Sequence, residues 1–212
     1  MKTKTAIGIV LSIGAATASA DVISETNSAS LDWGLSGSGN PITVGPTTLY
    51  PSEINVAGAT GAIVDVNVSL NGGQIDDTED LNIVVVSPAG TVVGLITGAG
   101  GADPVTGDIT FDDAAAGMIP DNSFPGGSGT YQPSVHGGVS GVVTNPLADG
   151  SVLSLFNGED ANGTWSLYVY DAFMGGTGAF SGGWTLDIVT VPAPASAALL
   201  TVGGLAAARR RR

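Results

Sequence analysis

Residues 62–70 alternate apolar and polar side chains, with Val64, Val66, Val68 and Leu70 on one side and Asp65, Asn67 and Ser69 on the other. A period of two marks a half-buried strand. Asn71-Gly72 is a favoured two-residue turn, so the strand is expected to end there. Residues 81–87 form a nearly continuous apolar run, which fits a central strand. Pro88-Ala89-Gly90 then reverses the chain, and residues 91–96 return as the second arm of a hairpin. A Gly-rich loop follows over 98–107, and Ile109-Thr110-Phe111 reads as a short strand. Residues 114–149 show no clear period, and a connection that long is either functional or wrapped on the surface. Residues 152–156 resume a strand pattern. An Asn162-Gly163 hairpin turn is predicted before residues 164–171, where Trp165, Leu167 and Val169 face inward and Ser166, Tyr168 and Tyr170 outward. Gly175-Gly176 and Gly178 make the next turn, and Trp184, Leu186 and Ile188 share one face of the last strand. Residues 21–40 are rich in Ser, Gly and Asn and read as a loose leader or an edge strand. About eight strands of ordinary length predict an all-β protein, a jelly-roll-like antiparallel β-sandwich.

Charge sharpens this picture. Lys2 and Lys4 open the chain and Arg209, Arg210, Arg211 and Arg212 close it, while all 19 Asp and Glu residues lie between. The intervening body cannot make an ordinary salt bridge. Its carboxylates must meet water, neutral donors or cations. An acidic body argues against nucleic acid or anionic lipid as a partner, since both are bound through Lys and Arg. The chain has no Cys, so no disulfide supports it.

The two ends read as addresses. Lys2, Lys4, an apolar stretch over 6–16 and the small residues Ala18-Ser19-Ala20 form a signal peptide over 1–20, with cleavage read through Ala18 and Ala20. The apolar stretch is shorter than the roughly 20 residues a membrane helix needs. At the other end, Pro192 and Pro194 stiffen a joint, residues 196–208 are apolar, and the four Arg follow. A positive cluster directly after an apolar run acts as a stop-transfer device. Residues 191–212 resemble a PEP-CTERM sorting signal, with Ala193 standing where that family usually carries Glu. The resemblance implies an exosortase-type processing enzyme as a partner, transient membrane anchoring, and export to the cell surface or beyond.

Three stretches in the body carry a second resemblance. They are Asp80-Leu81-Asn82-Ile83-Val84-Val85-Val86-Ser87-Pro88-Ala89-Gly90-Thr91, the run from Phe156 through Asn162-Gly163-Thr164-Trp165 to Asp171, and Gly178-Ala179-Phe180-Ser181-Gly182-Gly183-Trp184-Thr185-Leu186. In this order and spacing they resemble the P domain (P/Homo B domain) that follows the catalytic domain of subtilisin-like proprotein convertases and of many bacterial secreted proteases. Phe111-Asp112-Asp113-Ala114 and Tyr131-Gln132-Pro133 fit bacterial members, while Glu79 replaces the Gly that commonly precedes the Asp-Leu pair. The resemblance spans about 42–190, preceded by a leader over 21–41. It implies a β-sandwich with a stabilising or regulatory role beside a protease.

Chemistry is sparse. One His, His136, sits in the long loop, no Ser lies in a Gly-x-Ser-x-Gly elbow, and the body has no Lys. A catalytic triad is therefore not expected, nor is enzymatic activity. Calcium is the more serious idea. Asp76, Asp77 and Asp80 precede a central strand, Asp112 and Asp113 end another, Glu159 and Asp160 sit in a loop, and Asp171 ends the following strand. Hard oxygen ligands in loops at sheet ends suit Ca²⁺. An EF-hand is excluded, because Asp76-x-Thr78-x-Asp80 lacks the following Gly and the twelfth-position Glu. Bacterial P domains carry Ca²⁺, so the resemblance implies the same. The expected function is that of a secreted, non-catalytic module with a structural or adhesive role. The alternatives are docking onto a separate secreted subtilisin-like serine protease, or binding extracellular polysaccharide with Tyr131, Tyr168, Tyr170 and Phe173 as a stacking face.

Overall fold

A computed structural model describes residues 19–33, 45–137, 145–173 and 176–192. Most of the predicted signal peptide, including Ala18, lies outside the described residues, as do Pro194 and Arg209, Arg210, Arg211 and Arg212. Ala20 is exposed directly before the first strand, and Pro192 is the last described residue.

The described chain is built from β-strands and one short 3-10 helix. The first sheet holds β1 (Asp21–Asn27), β13 (Trp184–Val191), β5 (Ala62–Ile75), β12 (Gly178–Phe180) and β2 (Leu31–Trp33) in that order. The other side of β5 takes β8 (Val105–Phe111), and β9 (Gly129–Tyr131) pairs with β8. The second sheet runs β10 (Ser134–Val135), β7 (Val92–Thr97), β6 (Leu81–Val86), β11 (Gly163–Asp171) and β3 (Gly45–Pro46), with β4 (Ser52–Val56) also on β11. Pairing between the strands is antiparallel apart from β10 with β7 and β8 with β9, and isolated parallel bridges join Val93 to Gly150 and Met118 to Gln132. The all-β sandwich expected from the pattern is the fold observed.

The core lies where alternating faces of the two sheets meet. Trp165, Leu167 and Val169 on β11 face Leu186, Ile188 and Trp184 on β13 across a shared cluster that includes Phe111, Phe156 and Phe180. Phe156 meets Trp165 edge-on at 5.0 Å between ring centroids. The indoles of Trp165 and Trp184 satisfy their N–H, Trp165 on the Ala161 carbonyl and Trp184 on Ser52 Oγ, each at 3.0 Å. A buried indole without an acceptor would forfeit that bond, so these partners matter as much as the ring area.

Three local expectations change and one open reading is settled. First, Val64 is exposed and Ile63 buried, because the pairing of β13 with β5 slips between Val189 and Thr190. One extra residue in a ladder turns the side chains beyond it to the opposite face. Second, Asn71-Gly72 does not end the strand. It is a bulge inside the 14-residue β5, with Gly72 at φ 65° and its N–H donated to Asp108 at 2.7 Å. Third, residues 153–156 form the 3-10 helix rather than a strand. Asp113 draws the segment into that shape by accepting the N–H groups of Leu153 and Ser154, each at 2.8 Å. It follows that Asn162-Gly163 is no hairpin turn, since no strand precedes it; the Asn162 amide instead bonds both the N–H and the carbonyl of Ala59. Fourth, of the two readings left open for residues 21–40, a loose leader or an edge strand, the described part takes the second. β1 is an edge strand along β13, and Leu31 and Trp33 of β2 are core residues.

Candidate functional site

The eight candidate cation ligands separate into distinct groups. Asp77, Asp80 and Asp171 gather at one pole, where the turn before β6 meets the end of β11. Asp171 is buried, its Oδ1 accepting the Phe173 N–H at 3.0 Å. Burial, and then the nearby carboxylates Asp80 and Asp77, push the Asp171 carboxyl up to about 6. Asp80 is likewise raised to about 6, by burial first and then by Asp77 and Glu79. This pole therefore holds negative charges that resist one another, with no Lys or Arg among the described residues to offset them.

The other five candidates are engaged elsewhere with neutral donors. Asp76 accepts the Thr177 hydroxyl at 2.7 Å, and Asp112 accepts the Ala114 N–H at 2.7 Å. Asp113 holds the 3-10 helix. The Asp112 and Asp113 charges, after burial, raise the pKa of Asp65. Glu159 accepts the Thr91 hydroxyl through Oε1, and its Oε2 is buried without a hydrogen-bond partner. Asp160 accepts the backbone N–H of Asn162 and then its side-chain amide, which together lower its pKa. Among the described residues no group of three or more His, Cys, Asp or Glu side chains is assembled to hold a metal. The set of eight thus does not converge on one cage; its nearest approach to one is the Asp77–Asp80–Asp171 pole.

His136 donates its Nε2–H to the Ile119 carbonyl at 2.6 Å, which selects that tautomer. The expected stacking face is split. Tyr131 sits on the first sheet, packed edge-on to Phe124 at 5.5 Å, whereas Tyr168 belongs to the second sheet. There Tyr50 joins Tyr168 at 5.1 Å and Tyr170 at 6.4 Å, and Tyr170 is buried.

One surface depression was not foreseen from the sequence. A trough of about 630 Å³ crosses the first sheet where β5 continues past its bulge, between β8 and β12. Asp32, Gln74, Asp76, Thr106 and Ser181 contribute its polar lining. It was hidden because reading Asn71-Gly72 as a strand end removed the sheet on which it lies. Gly178 keeps this region closed beneath, since a Cβ there would lie 2.2 Å from the Trp33 ring.

No family model and no curated protein matches the chain. Among solved structures, the complex of Aeromonas sobria serine protease with the chaperone is similar at a TM-score of 0.34 and 17% identity, over 82% of this chain and 28% of that one. The serine protease of Aeromonas sobria gives a TM-score of 0.34 and 17% identity, over 80% of this chain and 27% of that one. The chain thus spans under a third of the length of either of these matched chains.

Proposed function

We propose that this chain is an exported, non-catalytic β-sandwich that serves a structural or adhesive role at the cell surface. The observation that carries the reading is the charge distribution: 19 carboxylates and no Lys or Arg among the described residues. Such a body stays soluble and repels anionic surfaces, while its only cations sit in terminal segments with the composition of export signals. The P-domain-like stretches support a scaffold role, since their Trp and Phe residues supply the core rather than a cleft. Calcium stabilisation belongs to the same proposal. Asp77, Asp80 and Asp171 are the carboxylates whose mutual repulsion a divalent cation would relieve.

Surface display is tested by labelling intact cells with an antibody to the body. Label on intact cells that moves to the medium when residues 191–212 are deleted supports the proposal. Protein retained in the cytoplasm overturns it. The second reading, docking onto a separate secreted subtilisin-like serine protease, rests on the P-domain-like motifs. Passing a purified protease of that class over the immobilised full chain decides it, with saturable retention in favour and no retention against.

A further inference from the structure

Five of the nine exposed large hydrophobic residues among those described, namely Met118, Val135, Leu147, Val152 and Leu155, lie together. Leu147 is 92% exposed and the other four between 37% and 47%. Two grooves organise them. One, of about 420 Å³, runs over the outer face of the second sheet between Val84, Val135 and the strap bearing Leu147. The other, of about 370 Å³, is lined by Met118, Pro133 and Val152. Ser151 lines both, so the two grooves adjoin at that residue. Leu155 lies over Gly150 at the junction, where a Cβ would come within 2.8 Å of its Cδ1.

The strap, residues 145–150, is hydrogen-bonded to the second sheet near both of its ends. Gly94 donates to the Gly150 carbonyl at 2.9 Å, Asp149 donates to Val92 at 2.8 Å, and the Asp149 carboxylate accepts the Val92 N–H at 2.8 Å. The Asn145 amide donates to the Asn82 carbonyl at 2.9 Å. Leu147 is therefore presented to solvent on a fixed base, and a contiguous apolar belt of this kind marks an interaction surface.

Charge decides what fits the belt. Asp113 lines one groove, exposed Asp149 lies between Ala148 and Gly150, which line the other, and no Lys or Arg is among the described residues, so the charge beside the belt is negative. A second copy would bring like rims together on two bodies that each lack Lys and Arg, at separations where salt screens incompletely. We infer that the belt from Met118 to Leu147 docks a partner protein whose contacting face is apolar at its centre and carries Lys or Arg at its edge. This rests on the adhesive role proposed above and gives it a specific surface, and it can fail while surface display stands.

The test uses the full chain and two labelled synthetic amphipathic peptides with the same leucine face, one flanked by Lys and one by Glu. Fluorescence anisotropy is expected to show the Lys peptide binding at least about tenfold tighter than the Glu peptide, and weakening as NaCl is added. The double variant Leu147→Ser/Val152→Ser, at two exposed positions, is expected to lose about tenfold in affinity. Val22→Ser, at an exposed apolar position on β1, is expected to lose nothing. Equal binding of the two peptides, or equal loss in both variants, overturns the inference. So does a dimer in sedimentation equilibrium that Leu147→Ser/Val152→Ser dissociates, since a second copy would then be the occupant.

Discussion

Replacing Asp171 by Asn removes a charge from the most buried carboxylate of the acidic pole while keeping an oxygen to accept the Phe173 N–H. Because the folded-state pKa is raised from 3.8 to about 6, the folded protein binds more protons than the unfolded chain between those values. The neutral acid's contribution is complete below about 3.8 and is lost as pH rises through about 6. At neutral pH the ionised form costs at most about 3 kcal/mol, and water on the open side of the pole screens part of this, leaving about 1–2 kcal/mol. Asp171→Asn should thus stabilise the protein by about 1–2 kcal/mol at pH 7.5 and by almost nothing at pH 4. Urea unfolding followed by tryptophan fluorescence, with EDTA present, reads this directly, since Trp33, Trp165 and Trp184 are all buried. A gain of equal size at both pH values would place the effect in packing rather than ionisation. No gain at pH 7.5 would show that the Asp171 charge is compensated.

Ser52→Ala should cost about 1–3 kcal/mol in urea unfolding, because Ser52 Oγ accepts from both Trp184 and Asn27 and links the two sheets. Trp165→Ala should cost about 3–5 kcal/mol by the same assay, through loss of a fully buried ring and its contact with Phe156. Gly178→Ala should cost about 1–3 kcal/mol as the new methyl meets Trp33, and a thermal melt unchanged from the native chain would contradict this packing. Ca²⁺ titration should raise the melting temperature of the native chain at pH 7.5, and Asp171→Asn should shrink that rise. An unchanged melting temperature in Ca²⁺ and in EDTA would remove the cation from the proposal.

The parts of the fold legible in the sequence are those set by neighbouring residues. Ser87-Pro88-Ala89-Gly90-Thr91 carries its own turn chemistry, and the hairpin of β6 and β7 closes with Gly90 donating to the Ser87 carbonyl at 2.9 Å. Alternation around Trp165 and Trp184 likewise read correctly, since one face of each strand is buried against the other sheet, apart from Tyr170, expected to face outward but buried beside Tyr50. What was illegible depends on distant partners. The 3-10 helix is held by Asp113, 40 residues away from Leu153 in sequence. The Gly72 bulge is held by Asp108, 36 residues on. Trp33 is fixed by Phe180, whose ring centroid lies 5.5 Å away, although its flanking sequence looks like a leader. The site followed the same rule. Acidic residues were visible, but their sorting into one mutually repelling pole and several hydrogen-bonded turns was set by tertiary placement.

The melting temperature of the full chain measured against NaCl concentration at pH 7.5, with EDTA present, bears most directly on an acidic body held by its apolar core and neutral hydrogen bonds. With 19 carboxylates and no Lys or Arg among the described residues, added salt has chiefly repulsion to screen there. The melting temperature should rise steadily from low salt to about 0.3 M, where the Debye length falls well below 10 Å. A fall over that range would mean that attractive ion pairs stabilise the body, and the charge reading would be wrong.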